Sequence, residues 1–160
     1  MLIEMAIKGL MVDPLTNLPI IILRDDASER VLPIWVGPIE ANAIALQIEN
    51  IATQRPMTHD LLRHIIEEMG GTLVRVIIHD LKESTFYAYL EIMRRDERIF
   101  VDARPSDALA LCLRARVPIL VNAKVFEHVQ DVEVGPQQGD QERLQRWLES
   151  LDPDDLGYKM

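Results

Sequence analysis

The stretch VLPIWVGPIEANAIAL, residues 31–46, is followed by a similar stretch, RIFVDARPSDALALCL, at residues 98–113. The two align without gaps, and Pro38 falls on Pro105. In each copy a β-rich run leads through the proline into a segment rich in alanine and leucine. Proline suits the first turn of a helix because the N–H that it lacks would have no partner there. Each copy therefore predicts a strand followed by a buried helix that starts at the proline.

The repeat extends upstream through further β-rich segments. In both copies two such runs flank a charged turn, RDDASER in the first and RRDER in the second, as is typical of hairpins. The predicted strands are 3–12, 18–23 and 31–36 in the first copy, and 72–79, 86–93 and 98–101 in the second. We expect an α+β fold of duplicated βββα units, about residues 2–50 and 70–117. Their strands should form a mixed or antiparallel sheet packed with helices.

Other elements lie between and after the copies. RPMTHDLLRHIIEEMGG, residues 55–71, predicts a helix over 58–69, because its apolar residues recur at helical spacing and two glycines follow. A short strand is predicted over 119–121, and a C-terminal helix over about 140–151. We assign residues 1–126 to the domain core, and residues 127–160 to an acidic loop and helix that pack on the same domain.

The composition is that of one globular domain, with 48% apolar and 27% charged residues. No apolar run is long enough to span a membrane, so no membrane association is expected. The only cysteine, Cys112, lies among leucines and alanines and cannot form an internal disulfide, which suggests a buried helix thiol. These features favour a cytoplasmic protein. We also predict a homodimer or larger homo-oligomer, because hairpin edges need cover.

The charge is unevenly distributed along the chain. The net charge of −9 disfavours a phosphate-rich partner at first sight. Most of the excess acid, however, lies from Glu127 onward, so nucleic acid is not excluded as a partner of the preceding residues. The low aromatic content, 5%, provides few platforms on which bases could stack.

Three segments combine ionisable side chains with predicted helix starts: GPIEA, RPMTHD and VDARPSDA. Helix N-termini attract both carboxylates and phosphates, because their N–H groups are free and their partial charge is positive. The acids could simply complement the helix dipoles, and Arg104 could form a salt bridge with Asp102, Asp107 or Glu40. A second interpretation is a functional site. The candidates for that site are Glu40, His59, Asp60, Asp102, Arg104 and Asp107.

Standard catalytic signatures are absent from the sequence, including HExxH, paired cysteines, a Walker loop, a dinucleotide fingerprint and GxSxG. A divalent cation, Mg²⁺ or Mn²⁺, stays open, because Mg²⁺ needs only one or two carboxylates plus water and substrate oxygens. The carboxylates that we assign to such an ion are Glu40, Asp102 and Asp107.

Five blocks carry a family resemblance: LPIWVGPIEANAIAL, RPMTHDLL, FYAYLEI, DARPSDALALCLRARVPI and LQRWLESLDPDDL. In this order they resemble the bifunctional nuclease family over roughly residues 2–156. The resemblance implies a compact α+β domain with nuclease activity on both DNA and RNA and little sequence preference. The residues that match the family's motifs and become catalytic candidates are Glu40, His59, Asp60, Arg104 and Asp107.

If the chain hydrolyses phosphodiester bonds, the chemistry of phosphoryl transfer suggests a role for each of these residues. Carboxylates would hold a divalent cation that lowers the pKa of a water molecule. His59 would act as general acid or base, since imidazoles exchange protons near neutral pH. Arg104 would stabilise charge on the phosphate. All the catalytic candidates are then expected around one cleft. The alternative is a non-catalytic oligomeric binding or regulatory domain, in which the Glu/Asp–Arg–His network is structural.

Overall fold

The computed structural model describes residues 1–129. In chain order its elements are β1 (Leu2–Val12), β2 (Pro19–Arg24), β3 (Val31–Trp35), α1 (Pro38–Ile48), α2 (Thr58–Glu68), β4 (Thr72–Lys82), β5 (Thr85–Arg94), β6 (Glu97–Ala103), α3 (Pro105–Ala115), β7 (Ile119–Asn122) and α4 (Ala123–Val129). Every strand and helix predicted before residue 129 is present, within a few residues of its expected bounds. The predicted C-terminal helix, 140–151, lies outside the described residues.

The strands form one mixed sheet in the order β3-β2-β1-β7-β4-β5-β6. Each half contributes a three-stranded antiparallel meander, and β7 lies between the halves. Strand β7 is antiparallel to β1 and parallel to β4, so β1 and β4 run in opposite directions. A twofold relation between two copies of one unit requires this reversal. The α+β fold with duplicated βββα element order is therefore confirmed.

The hydrophobic core lies between one face of this sheet and the two proline-led helices. Helix α3 packs against both α1 and α2. Ala41 in α1 and Ala108 in α3 occupy equivalent positions of the repeat and are fully buried. Small side chains at such positions let helix backbones approach their neighbours closely. Alanine-rich sequence after each proline thus accounts for the packing of α1 beside α3.

Cys112 belongs to this core, as the sequence predicts. It is buried in α3, and its Sγ donates a hydrogen bond to the carbonyl of Leu109 at 3.2 Å. Burial raises the pKa of the Cys112 thiol to about 12. Because thiolates rather than thiols are nucleophilic, this side chain is unreactive as a nucleophile at neutral pH.

The largest boundary difference among the predicted strands is at the end of β4, which continues to Lys82 instead of ending at residue 79. The hairpin to β5 closes through Glu83 and Ser84, both with positive φ. Two-residue turns of this kind usually contain asparagine or glycine, so Glu-Ser gives no recognisable signal. Helix α4 has no counterpart among the predicted elements. Its start is marked by Asn122, whose side chain accepts a hydrogen bond from the Lys124 N–H at 3.1 Å.

Membrane-spanning helices are not found in residues 1–129, since every helix there is too short or too polar to cross a bilayer.

Candidate functional site

Arg104 joins the starts of the two proline-led helices. It immediately precedes α3, and its Nε donates to Asp107 Oδ2 at 2.9 Å, in the first turn of the same helix. Its Nη1 donates to Glu40 Oε1 at 3.1 Å, in the first turn of α1. Glu40 and Asp107 are equivalent positions of the repeat. The duplication therefore brings two acidic first turns together, and one guanidinium lies between their carboxylates.

His59 extends this arrangement. It is the second residue of α2, and its Nε2 lies 3.0 Å from Asp107 Oδ1. Asp107 thus has one oxygen bonded to Arg104 and the other to His59. We call these linked side chains, Glu40, Arg104, Asp107 and His59, the Arg104 cluster. Three segments far apart in the sequence contribute to it, because α3 packs against both α1 and α2.

The electrostatics of the Arg104 cluster favour the charged forms of Asp107 and Arg104. Burial by itself raises the pKa of Asp107, but hydrogen bonds from Arg104 and His59 outweigh burial and hold that pKa below its ordinary value. The hydrogen bond to Asp107, followed by the bond to Glu40, raises the pKa of Arg104. At neutral pH the cluster therefore presents an arginine cation between carboxylate anions.

The guanidinium of Arg104 is also open to solvent, with 64% of its side chain exposed. Within residues 1–129 it donates hydrogen bonds only to Asp107 and Glu40. An arginine carries five N–H donors in a fixed planar fork, so others remain for a ligand. An anion with several oxygens, such as a phosphate, is the ligand that this geometry suits.

Asp60 follows His59 but belongs to a different ion pair. Its Oδ1 lies 2.9 Å from Arg114 Nε, and its Oδ2 accepts a hydrogen bond from the Met57 N–H at 2.9 Å. Burial by itself raises the pKa of Asp60. The hydrogen bond from the Met57 N–H and the charge of Arg114 lower it by more, so the pKa lies below its ordinary value. Asp60 is therefore not joined to the Arg104 cluster.

Arg114 is a buried charged residue that the sequence analysis does not single out. Only 2% of its side chain is exposed. Its guanidinium also donates to the carbonyls of Ala110 at 2.8 Å and Ala43 at 3.1 Å, which links α3 to α1. The burial of Arg114 could have been inferred from helical spacing, because Arg114 lies one turn after Ala110 on the buried side of α3.

Asp102 lies on the other face of the sheet. It pairs with Tyr89 across β5 and β6, whereas its neighbour Ala103 packs against the core. Successive side chains of a strand point to opposite faces, so Asp102 faces away from the helices. On that side Tyr89 stacks on His79 at 4.5 Å and meets Phe100 edge-on at 5.2 Å.

The predicted ligand set Glu40, Asp102 and Asp107 is consequently not assembled. Among residues 1–129 no three His, Cys, Asp or Glu side chains are grouped so that they could hold a metal ion. In the Arg104 cluster, both oxygens of Asp107 are already hydrogen-bonded, and Arg104 already neutralises Glu40. These residues do not fit a resident divalent cation as they stand, and we assign no chemical step to one.

A cavity of about 290 Å³ lies beside the start of α2. Asp60 lines it, together with Arg55, Arg63 and Arg114, but no member of the Arg104 cluster does. The expected single cleft is thus divided between the two sides of the first turn of α2. His59 reaches Asp107 on one side, and Asp60 borders the cavity on the other.

Comparison with known proteins identifies relatives over most of the chain. Residues 21–133 match the family model described as the bifunctional nuclease domain. An uncharacterized protein of Mycobacterium tuberculosis is 38% identical over 162 residues, which cover 96% of this chain and 97% of that protein. Bifunctional nuclease 1 of Oryza sativa subsp. japonica is 29% identical over 109 residues, and bifunctional nuclease 1 of Arabidopsis thaliana is 26% identical over 108 residues. These matches cover 66% and 65% of this chain but 33% of each plant protein.

Proposed function

Because the chain belongs to the bifunctional nuclease domain family, we propose that it is a nuclease that hydrolyses phosphodiester bonds of DNA and RNA with little sequence preference. The observation that carries this proposal is the solvent-open guanidinium of Arg104, held between Glu40 and Asp107 with His59 bonded to the latter. These groups suit a phosphate, which every nucleotide has. None of them requires a particular base, which agrees with low sequence preference.

Arg104 binds the scissile phosphate in this proposal. Its unused N–H groups donate to the non-bridging oxygens, and its contacts with Glu40 and Asp107 hold the fork in place before substrate arrives. Negative charge on these oxygens is redistributed as water attacks phosphorus. A fixed cation beside them stabilises the transition state without reorganising, which is the most effective form of electrostatic catalysis.

His59 carries out proton transfer in this proposal, and its hydrogen bond to Asp107 orients the imidazole ring. Water adds its oxygen to phosphorus, and the bond from phosphorus to the leaving nucleotide oxygen breaks. One proton leaves the water, and one proton joins the leaving oxygen. An imidazole whose Nε2 is bonded to a carboxylate has one other ring nitrogen, through which it can accept the first proton or supply the second, and solvent exchanges the remaining proton.

Mg²⁺ or Mn²⁺ is a separate part of the proposal, and none of these steps depends on it. Whether the protein needs one is decided by assaying it in EDTA and with each ion added back.

The test is cleavage of labelled single-stranded DNA and RNA by the purified chain and matched variants. We expect Asp107→Asn and Arg104→Gln to lower the cleavage rate by about 100-fold or more while the proteins stay folded. Asp102→Asn is the control, because it removes an equivalent negative charge from the opposite face of the sheet. Equal cleavage by the wild type, Asp107→Asn and Arg104→Gln would identify a contaminating nuclease and refute the assignment.

The alternative function is a non-catalytic oligomeric binding or regulatory domain. It is favoured by the internal satisfaction of Asp107, whose two oxygens are both hydrogen-bonded within the protein. In that case Arg104→Gln would lower stability or disturb assembly, and none of the preparations would cleave nucleic acid.

We propose that the protein forms a homodimer or larger homo-oligomer through α2. Only His59 of this helix is buried. Its apolar residues Leu61, Leu62 and Ile65, and Met69 at its C-cap, are exposed to solvent. They recur along one side of the helix. Apolar side chains gathered on one helix face usually mark a contact with another protein surface.

A further inference from the structure

The cavity beside α2 concentrates positive charge in an acidic protein. Its ionisable lining consists of Arg55, Arg63, His64, Arg114 and one acid, Asp60. Arg114 and Asp60 neutralise each other through their ion pair at 2.9 Å. Glu67 Oε1, 3.6 Å from Arg63 Nε, offsets part of the charge of Arg63. Arg55 and the remainder of the Arg63 charge leave a local excess of positive charge, whereas the chain as a whole carries −9. We propose that this cavity binds a phosphate group of a nucleotide, separately from the phosphate at Arg104.

Arg63 contributes a guanidinium to the lining of this site. Its Nη1 donates to the Arg114 carbonyl at 2.8 Å, which fixes the guanidinium at one end. Its Nε is buried and has no hydrogen-bond partner within residues 1–129, and Glu67 stays at 3.6 Å from it, too far for a normal hydrogen bond. A buried donor without an acceptor is unfavourable. Because Nε is closed to solvent, a phosphate in the cavity would meet the accessible part of the Arg63 side chain, which is 34% exposed.

Arg55 provides the second cation of the lining. It is exposed, lies in the loop between α1 and α2, and forms no ion pair within residues 1–129. The same loop contributes the polar side chains Thr53 and Gln54 to the lining. Two guanidinium groups with polar neighbours form the usual environment for a phosphate. The volume, about 290 Å³, suits a compact anion rather than a large apolar ligand.

The position of the cavity relates it to the Arg104 cluster. His59 and Asp60 are adjacent in the first turn of α2, and they border the cluster and the cavity respectively. A strand with one phosphate at Arg104 could therefore continue past this turn and place another phosphate in the cavity. A nucleic-acid strand as the source of this phosphate rests on the proposed nuclease function. A free mononucleotide offers the same chemistry, and the experiment separates the two sources.

The experiment measures binding without cleavage. The full chain is titrated into a fluorescein-labelled oligodeoxynucleotide in EDTA, with anisotropy as the readout, at several salt concentrations. Arg55→Gln and Arg63→Gln are compared with Arg24→Gln, an exposed arginine that does not line the cavity. Each cavity variant should bind on the order of tenfold more weakly. Each should also reduce the slope of log affinity against log salt by about 0.7, as the loss of one phosphate contact requires. Arg24→Gln should match the wild type.

Competition with a nucleoside monophosphate, and with the corresponding nucleoside, identifies the source. Displacement by the monophosphate that weakens in Arg55→Gln and Arg63→Gln supports a free or terminal phosphate. Loss of oligonucleotide affinity without monophosphate binding supports an internal strand phosphate.

Unchanged affinity and salt slope in Arg55→Gln and Arg63→Gln would overturn the proposal, as would absence of binding by the wild type. Within residues 1–129 the side chain of Arg55 forms no hydrogen bond or ion pair that its replacement would break, so this variant remains informative if Arg63→Gln unfolds. A protein that binds in this manner but does not cleave would contradict the proposed nuclease activity and leave the phosphate site standing. Loss of cleavage in Asp107→Asn, together with unchanged binding in the two arginine variants, would support the nuclease activity and refute the phosphate site in the cavity.

Discussion

Asp60 Oδ1 lies 2.9 Å from Nε of Arg114, a side chain of which only 2% is exposed. This ion pair connects the first turn of α2 to the last turn of α3, and Arg114 in turn donates to the Ala43 carbonyl of α1. One buried guanidinium thus ties together the helices that carry His59, Asp107 and Glu40. The geometry of the Arg104 cluster depends on a pair that takes no part in it.

Replacing Asp60 should therefore affect stability before it affects chemistry. Asp60→Ala leaves the Arg114 guanidinium buried without a counter-charge, and we expect it to lower the free energy of unfolding by about 3 kcal/mol. Urea unfolding monitored by circular dichroism measures the loss. Asp26→Ala is the control, because Asp26 pairs with Lys8 at the surface and should contribute below about 1 kcal/mol. Equal losses of unfolding free energy in the two variants would show that the Asp60–Arg114 ion pair stabilises the fold no more than a surface ion pair does.

Removing Arg104 should open a cation site between Glu40 and Asp107. In Arg104→Gln the carboxylates of Glu40 and Asp107 lose the charge that neutralises them, and oxygen ligands of this kind bind Mg²⁺. We expect millimolar Mg²⁺ to raise the Tm of Arg104→Gln by about 2–4 °C and that of the wild type by much less. Differential scanning fluorimetry provides the comparison. Adding Asp107→Asn to the variant should abolish the shift. A wild type that responds as strongly as Arg104→Gln would mean that Arg104 does not exclude the ion.

Acid should destabilise the protein partly through Asp107. The pKa of Asp107 in the folded protein lies below its ordinary value of 3.8, so the folded state favours its ionised form. This stabilisation is complete above the unfolded pKa and is lost as pH falls from about 4 through the folded pKa. Urea unfolding at pH 7, 4 and 3 should show a smaller acid-induced loss in Asp107→Asn than in the wild type. Parallel pH profiles for the two proteins would contradict a depressed pKa at this residue.

The exposed apolar side of α2 should control assembly. We expect light scattering at micromolar concentration to report a homodimer or larger species for the wild type. Ile65→Lys introduces a charge on that side and should shift the mass toward the monomer, whereas Leu15→Lys makes the same change in charge at an exposed apolar residue between β1 and β2. A monomeric wild type, or an equal effect of the two variants, would refute assembly through α2.

The order of the elements could be predicted because their signals are local. Pro38 and Pro105 mark two helix starts, and the charged turns before them separate hairpin strands. The ends of the strands are harder to predict from the sequence. The turn at Glu83 and Ser84, for example, lacks the asparagine or glycine that usually occupies positions of positive φ. Strand β7 was expected, but its place between the two halves depends on pairing with β1 and β4, which no local pattern specifies.

The sequence by itself determined the repeat, the fold class and the residue types available for a site: two equivalent acids, an arginine before one helix and a histidine before an aspartate. Only the tertiary structure decided which of them meet. Asp102 and Arg104 are two residues apart, yet strand alternation turns Asp102 to the opposite face of the sheet. His59 and Asp60 are adjacent, yet one contacts Asp107 and the other Arg114. The physical reason is that spacing along the chain sets the direction of a side chain within its own helix or strand, whereas its partner is set by the packing of elements that are distant in sequence.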